Sequence, residues 1–326
     1  MKKKKFQNIA RNVIEREIKS LKKLKKGINS SFDKVVEMIL KCKNGKVIIS
    51  GTGKSGIIAN KISSTLASVG TPSFYVDAGS FSHGDLGKIS SNDVLILISN
   101  SGNTEELKTI IQYASRNKKI KLIGIMSKKD SLLYKYSDLK LLLPNVTEAD
   151  PNNIVPTSST TTQLALGDAI AVSTMQYKRF GNLDFKRFHP GGHLGKKLKT
   201  VGDLMLTGNK IPFVKENLLM KEALNIISKK KLGVLISRNN KKLTNGIITD
   251  GDIKRATQKK ESIKILEVKD VMKKNPISVY INLLASEALS IMHTNKITSL
   301  CVHKNKKKNK TVGIIHIHNI LDANIQ

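Results

Sequence analysis

Five short apolar runs alternate with helix-length segments in the first half of this 326-residue chain, and that alternation is what most restricts its fold. The runs are Lys46–Ser50, Ser73–Val76, Val94–Ser99, Ile120–Met126 and Leu139–Leu143. Strands separated by helices predict a parallel sheet covered on both faces, an α/β sandwich with helices on either side. In such a sheet ligands bind beyond the carboxyl ends of the strands. Gly51–Gly56, His83-Gly84-Asp85, Ser99–Thr104 and Glu148 all fall at those ends. Ahead of the first run, apolar residues from Phe6 to Ile39 recur at helical spacing and predict one or two amphipathic helices. Beyond the last run, a long helix is expected from Thr160 to Phe180, opened by the hydroxyl-rich Pro156–Thr162.

The C-terminal part repeats itself. Val201-Gly202-Asp203-Leu204-Met205 matches Val268-Lys269-Asp270-Val271-Met272, and Gly246-Ile247-Ile248 matches Gly313-Ile314-Ile315. The segment from Lys221 to Ile227 matches Ser286 to Met292, and the offset stays at 65–67 residues throughout. This is a tandem duplication. Each unit is too small for a sizeable core of its own, so the two are expected to pack as one module.

The formal charge of +32 raises nucleic acid as a partner. The lysines, however, are scattered, with small clusters at Lys22–Lys26, Lys229–Lys231 and Lys304–Lys310. Aromatic residues make up only 4%, too few for base-stacking platforms, so a solvated surface is the expectation and nucleic acid is not. No apolar run approaches the roughly 20 residues of a membrane span. The basic start Met1–Lys5 is not followed by a signal-peptide core, because Arg11, Glu15, Arg16 and Glu17 interrupt it. Cys42 and Cys301 stand far apart and fit two thiols in a reducing cytoplasm.

Chemistry concentrates at the turns. Ser99-Asn100-Ser101-Gly102-Asn103-Thr104-Glu105-Glu106 sits where an apolar strand becomes a helix. Open backbone N–H groups and a helix dipole there suit a phosphate, and Ser99, Ser101 and Thr104 can donate to it. An ordinary polar turn capped by Thr104 is the alternative. Gly51-Thr52-Gly53-Lys54-Ser55-Gly56 looks like a phosphate-binding NTPase loop, but Ile48 stands where that motif needs its first glycine. Lys54 can instead stabilise a developing oxyanion, or simply sit at a helix start. Glu106 and Glu148 are candidate general bases or helix-capping carboxylates. His189 lies in a Pro-Gly-Gly-flanked bend, able to present its imidazole or to face solvent. No His/Cys/Asp set has metal-ligand spacing. In the first repeat Thr249 and Asp252 could hold a ribose, whereas the second repeat reads His316-Ile317-His318-Asn319 and lacks the carboxylate.

Taken together, Gly53-Lys54-Ser55-Gly56, Gly70-Thr71-Pro72-Ser73-Phe74, His83-Gly84-Asp85-Leu86-Gly87, Ile98–Gly102, Pro156–Thr161 and His189-Pro190-Gly191-Gly192 resemble the D-arabinose-5-phosphate isomerase family. Its layout is a sugar isomerase (SIS) domain followed by two CBS domains. The resemblance implies a helical segment at 1–42, a SIS domain at 43–185, a linker at 186–200 carrying His189, and CBS domains at 201–262 and 263–326. It implies interconversion of arabinose 5-phosphate and ribulose 5-phosphate through an enediol(ate), feeding Kdo and lipopolysaccharide synthesis in the cytoplasm. The implied catalytic set is Lys54, Glu106, Glu148 and His189. Implied substrate contacts are Ser55, Gly70, Thr71, His83, Ser99, Asn100, Ser101 and Thr104. No cofactor is implied, a homotetramer or at least a dimer is, and a nucleotide is the implied ligand of the CBS pair at Thr249 and Asp252. Two positions depart from the family pattern. Asp77 replaces a histidine implicated in binding inhibitory zinc, so no metal site is carried over, and His193 replaces a small residue.

The chemistry agrees with that set. Moving a proton between adjacent carbons needs a base, a stabiliser of oxygen charge and a phosphate anchor. Two rival readings remain: a non-catalytic sugar-phosphate sensor, and an isomerase of another phosphosugar. Sensors of this kind typically carry an N-terminal helix-turn-helix, and Phe6–Leu40 shows no short turn between two compact helices.

Overall fold

The computed structural model describes residues 3–189, 191–259, 262–304 and 310–325. Part of the basic N-terminus, Pro190, most of the Lys304–Lys310 cluster and the side chain of His193 lie outside that description. The chain forms two compact units, Met1–Phe188 and His189–Gln326.

The first unit begins with two helices, α1 (Lys3–Gly27) and α2 (Ser30–Lys41). Only Ile28 and Asn29 separate them, a short turn where none was expected, although the 25 residues of α1 make it no compact helix; Asn29 caps α2, its side chain accepting from Ser31 N at 2.9 Å. Then come β1 (Val47–Gly51), α3 (Gly53–Ser68), β2 (Ser73–Tyr75), β3 (Val94–Ile98), α4 (Lys108–Arg116), β4 (Lys121–Met126), α5 (Leu132–Tyr136), β5 (Leu139–Leu142), α6 (Ser158–Tyr177) and α7 (Asn182–Phe188). The five strands pair in parallel in the order β2-β1-β3-β4-β5. All five expected strands are present.

Strand β3 is buried from end to end, as expected of a parallel strand covered on both faces. Its side chains divide by the two-residue period of a strand. Val94, Ile96 and Ile98 join Ile39, Ile62, Leu66, Leu166 and Ile170 on the face covered by α2, α3 and α6. Leu95 and Leu97 join Phe81, Leu107, Ile110 and Ile111 on the other. The long C-terminal helix opens at Ser158, two residues before its expected start, because a carboxylate from outside the helix satisfies its first N–H groups.

In the second unit, α8 (Gly192–Lys197) and α9 (Val201–Leu204) precede two similar sheets. One holds β7 (Phe213–Lys215), β8 (Val234–Arg238) and β9 (Thr244–Thr249) with α10 (Met220–Lys230) and α11 (Asp250–Lys259). The other holds β11 (Ser278–Tyr280), β12 (Ser299–His303) and β13 (Thr311–His316) with α13 (Ala285–Asn295) and α14 (Ile317–Leu321). The short leading elements cross over. Strand β6 (Leu206–Thr207) pairs with β13 of the second repeat, and Val201 is buried in that repeat's core. Reciprocally, α12 (Val268–Val271) places Val268 in the first repeat's core, and β10 (Lys273–Lys274) pairs with β9. A shared core of Ile211, Val234, Ile236, Cys301 and Ile314 joins the two sheets.

Ending the chain at Ser262 should therefore remove part of the first repeat's core and leave β9 unpaired at its edge. Each buried aliphatic side chain lost costs about 2 kcal/mol. The first repeat is then expected to lose its protease-resistant core, monitored by limited proteolysis. A resistant fragment of the same size as in the full chain would show that the exchanged segment is dispensable.

Candidate active site

The strand order reverses between β1 and β3, since β2 lies on one side of β1 and β3 on the other. Chains leaving the two strands diverge there and open a crevice. The pairing of Gly51 with Ile98 brings the ends of both strands level, so Thr52 and Ser99 start adjacent turns.

Ser99 is buried and organises its turn. Its Oγ accepts from Gly102 N at 2.9 Å and lies 2.7 Å from the Thr104 hydroxyl. Thr104 therefore does not cap the following helix, and a short 3-10 turn (Glu105–Leu107) leads into α4. Gly102 has φ +69°, and a Cβ there would stand 2.2 Å from Ser131 Oγ, so only glycine fits. The turn is tied to the chain beyond β4. Asn100 O accepts from Ser127 N and Oγ, and Asn103 Oδ1 accepts from Leu132 N at 2.8 Å. Sequence reasoning does not reach Asn103, Ser127 and Ser131, because their partners lie some 30 residues away and no local pattern reveals the pairing. Asn100 and Ser101 are exposed on this hydrogen-bonded loop.

The Gly51–Gly56 segment is too tight for a nucleoside-triphosphate loop: the strand ends at Gly51 and the helix begins at Gly53. A Cβ on Gly56 would meet Gly51 O at 2.7 Å and Tyr75 Oη at 2.8 Å, so α3 packs directly on the strand end. Lys54 and the half-buried Ser55 occupy the first turn of α3, which holds no acidic residue. A cation at a helix N-terminus opposes the dipole, an arrangement that a bound anion would offset. The Lys54 ammonium is exposed and makes no hydrogen bond or ion pair among the described residues.

Glu148 follows β5 at the same edge of the sheet. Its Oε2 accepts from Thr157 N at 2.8 Å, Thr157 Oγ1 at 3.1 Å and Ser159 N at 3.2 Å. Partial burial pushes the carboxyl up, but the Ser159 and Thr157 hydrogen bonds outweigh it and hold it below the ordinary glutamate range. Glu148 is thus an ionised cap on α6. Glu106 lies exposed in the 3-10 turn. Asp77, beyond β2, accepts from Tyr75 Oη at 3.1 Å and from Gly79 N at 2.9 Å. Burial, and then the bond to Asp77, push the Tyr75 phenol up to about 12. His83 is exposed in the next 3-10 turn.

Lys54, Ser55, Asp77, His83, Ser99–Glu106 and Glu148 therefore share the carboxyl edge. Gly70 and Thr71 do not. They precede β2, at the amino edge, where Lys178 at the end of α6 donates to Gly70 O at 3.1 Å and Thr71 Oγ1 at 2.8 Å. Within one chain this separates them from the Ser99 turn by the length of the sheet. His189 directly follows α7 and belongs to the second unit.

Thr249 and Asp252 are committed to each other. Thr249 donates through N and Oγ1 to Asp252 Oδ2, at 3.0 and 2.6 Å, opening α11. Arg255 and Lys273 pair with Oδ1 at 2.5 and 3.3 Å. Thr200–Asp203, Glu267–Asp270 and His316–Asn319 form the same capping arrangement at related positions of the duplication. Both Thr249 and Asp252 nonetheless line a cleft of about 810 Å³ with Lys231, Lys274, Lys296, His316 and His318.

Because the folded state depresses the Glu148 pKa, its contribution is present above the unfolded value and is lost as pH falls through the folded one. Glu148→Gln should lower first-unit stability by about 1 kcal/mol at neutral pH, the usual worth of a capping group. The deficit should shrink toward zero in acid, followed by thermal melts across pH. A deficit that persists unchanged below the carboxylate range would contradict the capping role.

Comparison with known proteins agrees with this architecture. The SIS domain family matches residues 39–173, and the CBS domain family matches 201–259 and 268–325. Arabinose 5-phosphate isomerase KdsD of Yersinia pestis is 38% identical over 321 residues, covering 98% of this chain and 96% of that protein. The KdsD enzyme of Escherichia coli K12 matches to the same extent. Among solved structures, E. coli CFT073 c3406 in complex with arabinose 5-phosphate superposes with a TM-score of 0.56 at 35% identity, covering 58% of this chain and all of that one. A sugar-phosphate isomerase homologue from Listeria monocytogenes gives 0.56 at 30% identity, over 59% of this chain and all of that one. The chain is therefore an isomerase belonging to the arabinose 5-phosphate isomerase family, with one SIS domain and two CBS domains.

Proposed function

We propose that this protein interconverts D-arabinose 5-phosphate and D-ribulose 5-phosphate through an enediol(ate) intermediate. The observation that carries this reading is 38% identity over nearly the full length to a KdsD arabinose 5-phosphate isomerase, together with the arabinose 5-phosphate complex of a homologous SIS chain. The phosphate would rest on the Ser99–Thr104 turn, with Ser99 holding the turn's shape and Ser101 and Thr104 donating. Lys54 would stabilise the negative oxygen of the enediolate. Glu148 or Glu106 would move the proton between carbons, and His189 would shuttle protons between oxygens. The ionised state of Glu148 supports it as a base ready to accept a proton, and the exposure of Glu106 leaves it accessible to the same task. Boundaries at 43–185 for the SIS domain, 201–262 and 263–326 for the CBS domains belong to this proposal. So do a cytoplasmic location, supply of the Kdo and lipopolysaccharide route, a nucleotide at the CBS pair, and a homotetramer in which His189 serves a neighbouring site. Exposed Val172 and Tyr177 on α6 give an assembly some apolar surface to cover.

Purified protein is expected to convert arabinose 5-phosphate to ribulose 5-phosphate selectively over ribose, glucose and fructose phosphates. Absence of pentose-phosphate turnover in folded protein that still binds sugar phosphates would favour the sensor reading. In deuterated water, Glu→Gln at the base should abolish label entry at the reacting carbon, a rate loss of roughly 10²–10⁴-fold, while substrate still binds. Near-normal exchange in both Glu106→Gln and Glu148→Gln would remove both from the role.

A further inference from the structure

We infer that Arg16, on the N-terminal helix α1, is a positioning residue that holds the Glu148 loop in its working shape. This rests on the reading of Glu148 as part of the isomerase site. The loop between β5 and α6 has no regular structure, yet its backbone is closely bonded. Asp150 Oδ1 accepts from Ile154 N at 2.9 Å and Val155 N at 2.8 Å, and Oδ2 accepts from Asn152 N at 2.9 Å. Asn153, in the left-handed region at φ +55°, accepts from Glu148 N at 2.6 Å. Ala149 N is taken by Thr157 Oγ1 at 2.8 Å. The loop's side chains thus satisfy its N–H groups.

The carbonyls of Glu148, Ala149 and Asp150 all turn toward one external donor. Arg16 Nη1 lies 3.2, 3.4 and 3.4 Å from these three oxygens. It arrives from 132 residues upstream and from outside the segment matched to the SIS family, residues 39–173. The contacts are exposed, so water can replace the guanidinium at little cost in stability. What water cannot supply is a fixed point. Three carbonyls converging on one cation set the direction in which the chain enters Glu148, and with it the carboxylate's place over α6. A small misplacement of a reacting group costs far more in rate than in stability.

Arg16→Ala, Arg16→Lys and the control Arg11→Ala, whose side chain among the described residues bonds only Asn8 on the same helix, should be compared as full-length proteins. Two readouts are needed: steady-state kinetics with arabinose 5-phosphate, and amide hydrogen exchange without substrate at Thr157 and Ser159. Arg16→Ala is expected to lower kcat on the order of 100-fold with KM little changed, and to speed exchange at 148–159 while the central strands stay protected. Arg16→Lys, keeping the charge on a shorter side chain that does not place a donor at the Nη1 position, should fall between, and Arg11→Ala should match wild type. Normal loop exchange in Arg16→Ala, or faster exchange across the whole first unit, overturns the inference. If wild-type protein fails to turn over arabinose 5-phosphate, the functional reading fails, and the exchange measurement alone still decides whether Arg16 orders the loop.

Discussion

The reversal of strand order between β1 and β3 is the constraint on which the rest of the first unit depends. A parallel sheet delivers every strand's carboxyl end to one edge, but only at the reversal do successive chains part and leave room for a ligand. The level pairing of Gly51 with Ile98 then decides which residues flank that room. Lys54 and the Ser99 turn owe their proximity to this register and to no contact between their own side chains. A slip of one residue would turn the β3 side chains to the opposite core, exchanging Leu95 and Leu97 with Ile96 and Ile98, so the packing of both faces guards the site.

Local stiffness compounds the effect. Gly102, forced by Ser131 and by its positive φ, locks the Ser99 turn against α5, and Gly56 seats α3 against the end of β1. At the same carboxyl edge, beyond the outermost strand β5, Glu148 caps the start of α6. The carboxylate is held anionic by the same N–H groups that it caps, so structural and chemical roles reinforce each other.

Much of this is legible in the residues alone. Buried strands such as Val94–Ile98 announce themselves because a doubly covered strand must be apolar throughout, and the duplication is plain from its constant offset. Turn glycines and hydroxyls mark the carboxyl edge for equally local reasons. What stays hidden is long-range. The Asn103–Leu132 and Lys178–Thr71 bonds join segments whose sequences carry no trace of each other. Thr104 has the position of a cap, but pairing with buried Ser99 claims its hydroxyl first. The Thr249–Asp252 pair, besides lining a cleft, forms one of four related helix caps, which explains why the same spacing recurs through the duplication.

The exchanged strands of the second unit carry a consequence for how its two repeats can change over time. Because β6 and α9 complete the second repeat while α12 and β10 complete the first, neither repeat owns all the residues that keep it folded. Each is insured by the other's leading segment. Within that shared frame the two repeats differ in detail: Asn319 stands where the first repeat has Asp252, and each still caps its helix. The duplication is no longer two copies of one thing, but a single object with two unlike halves.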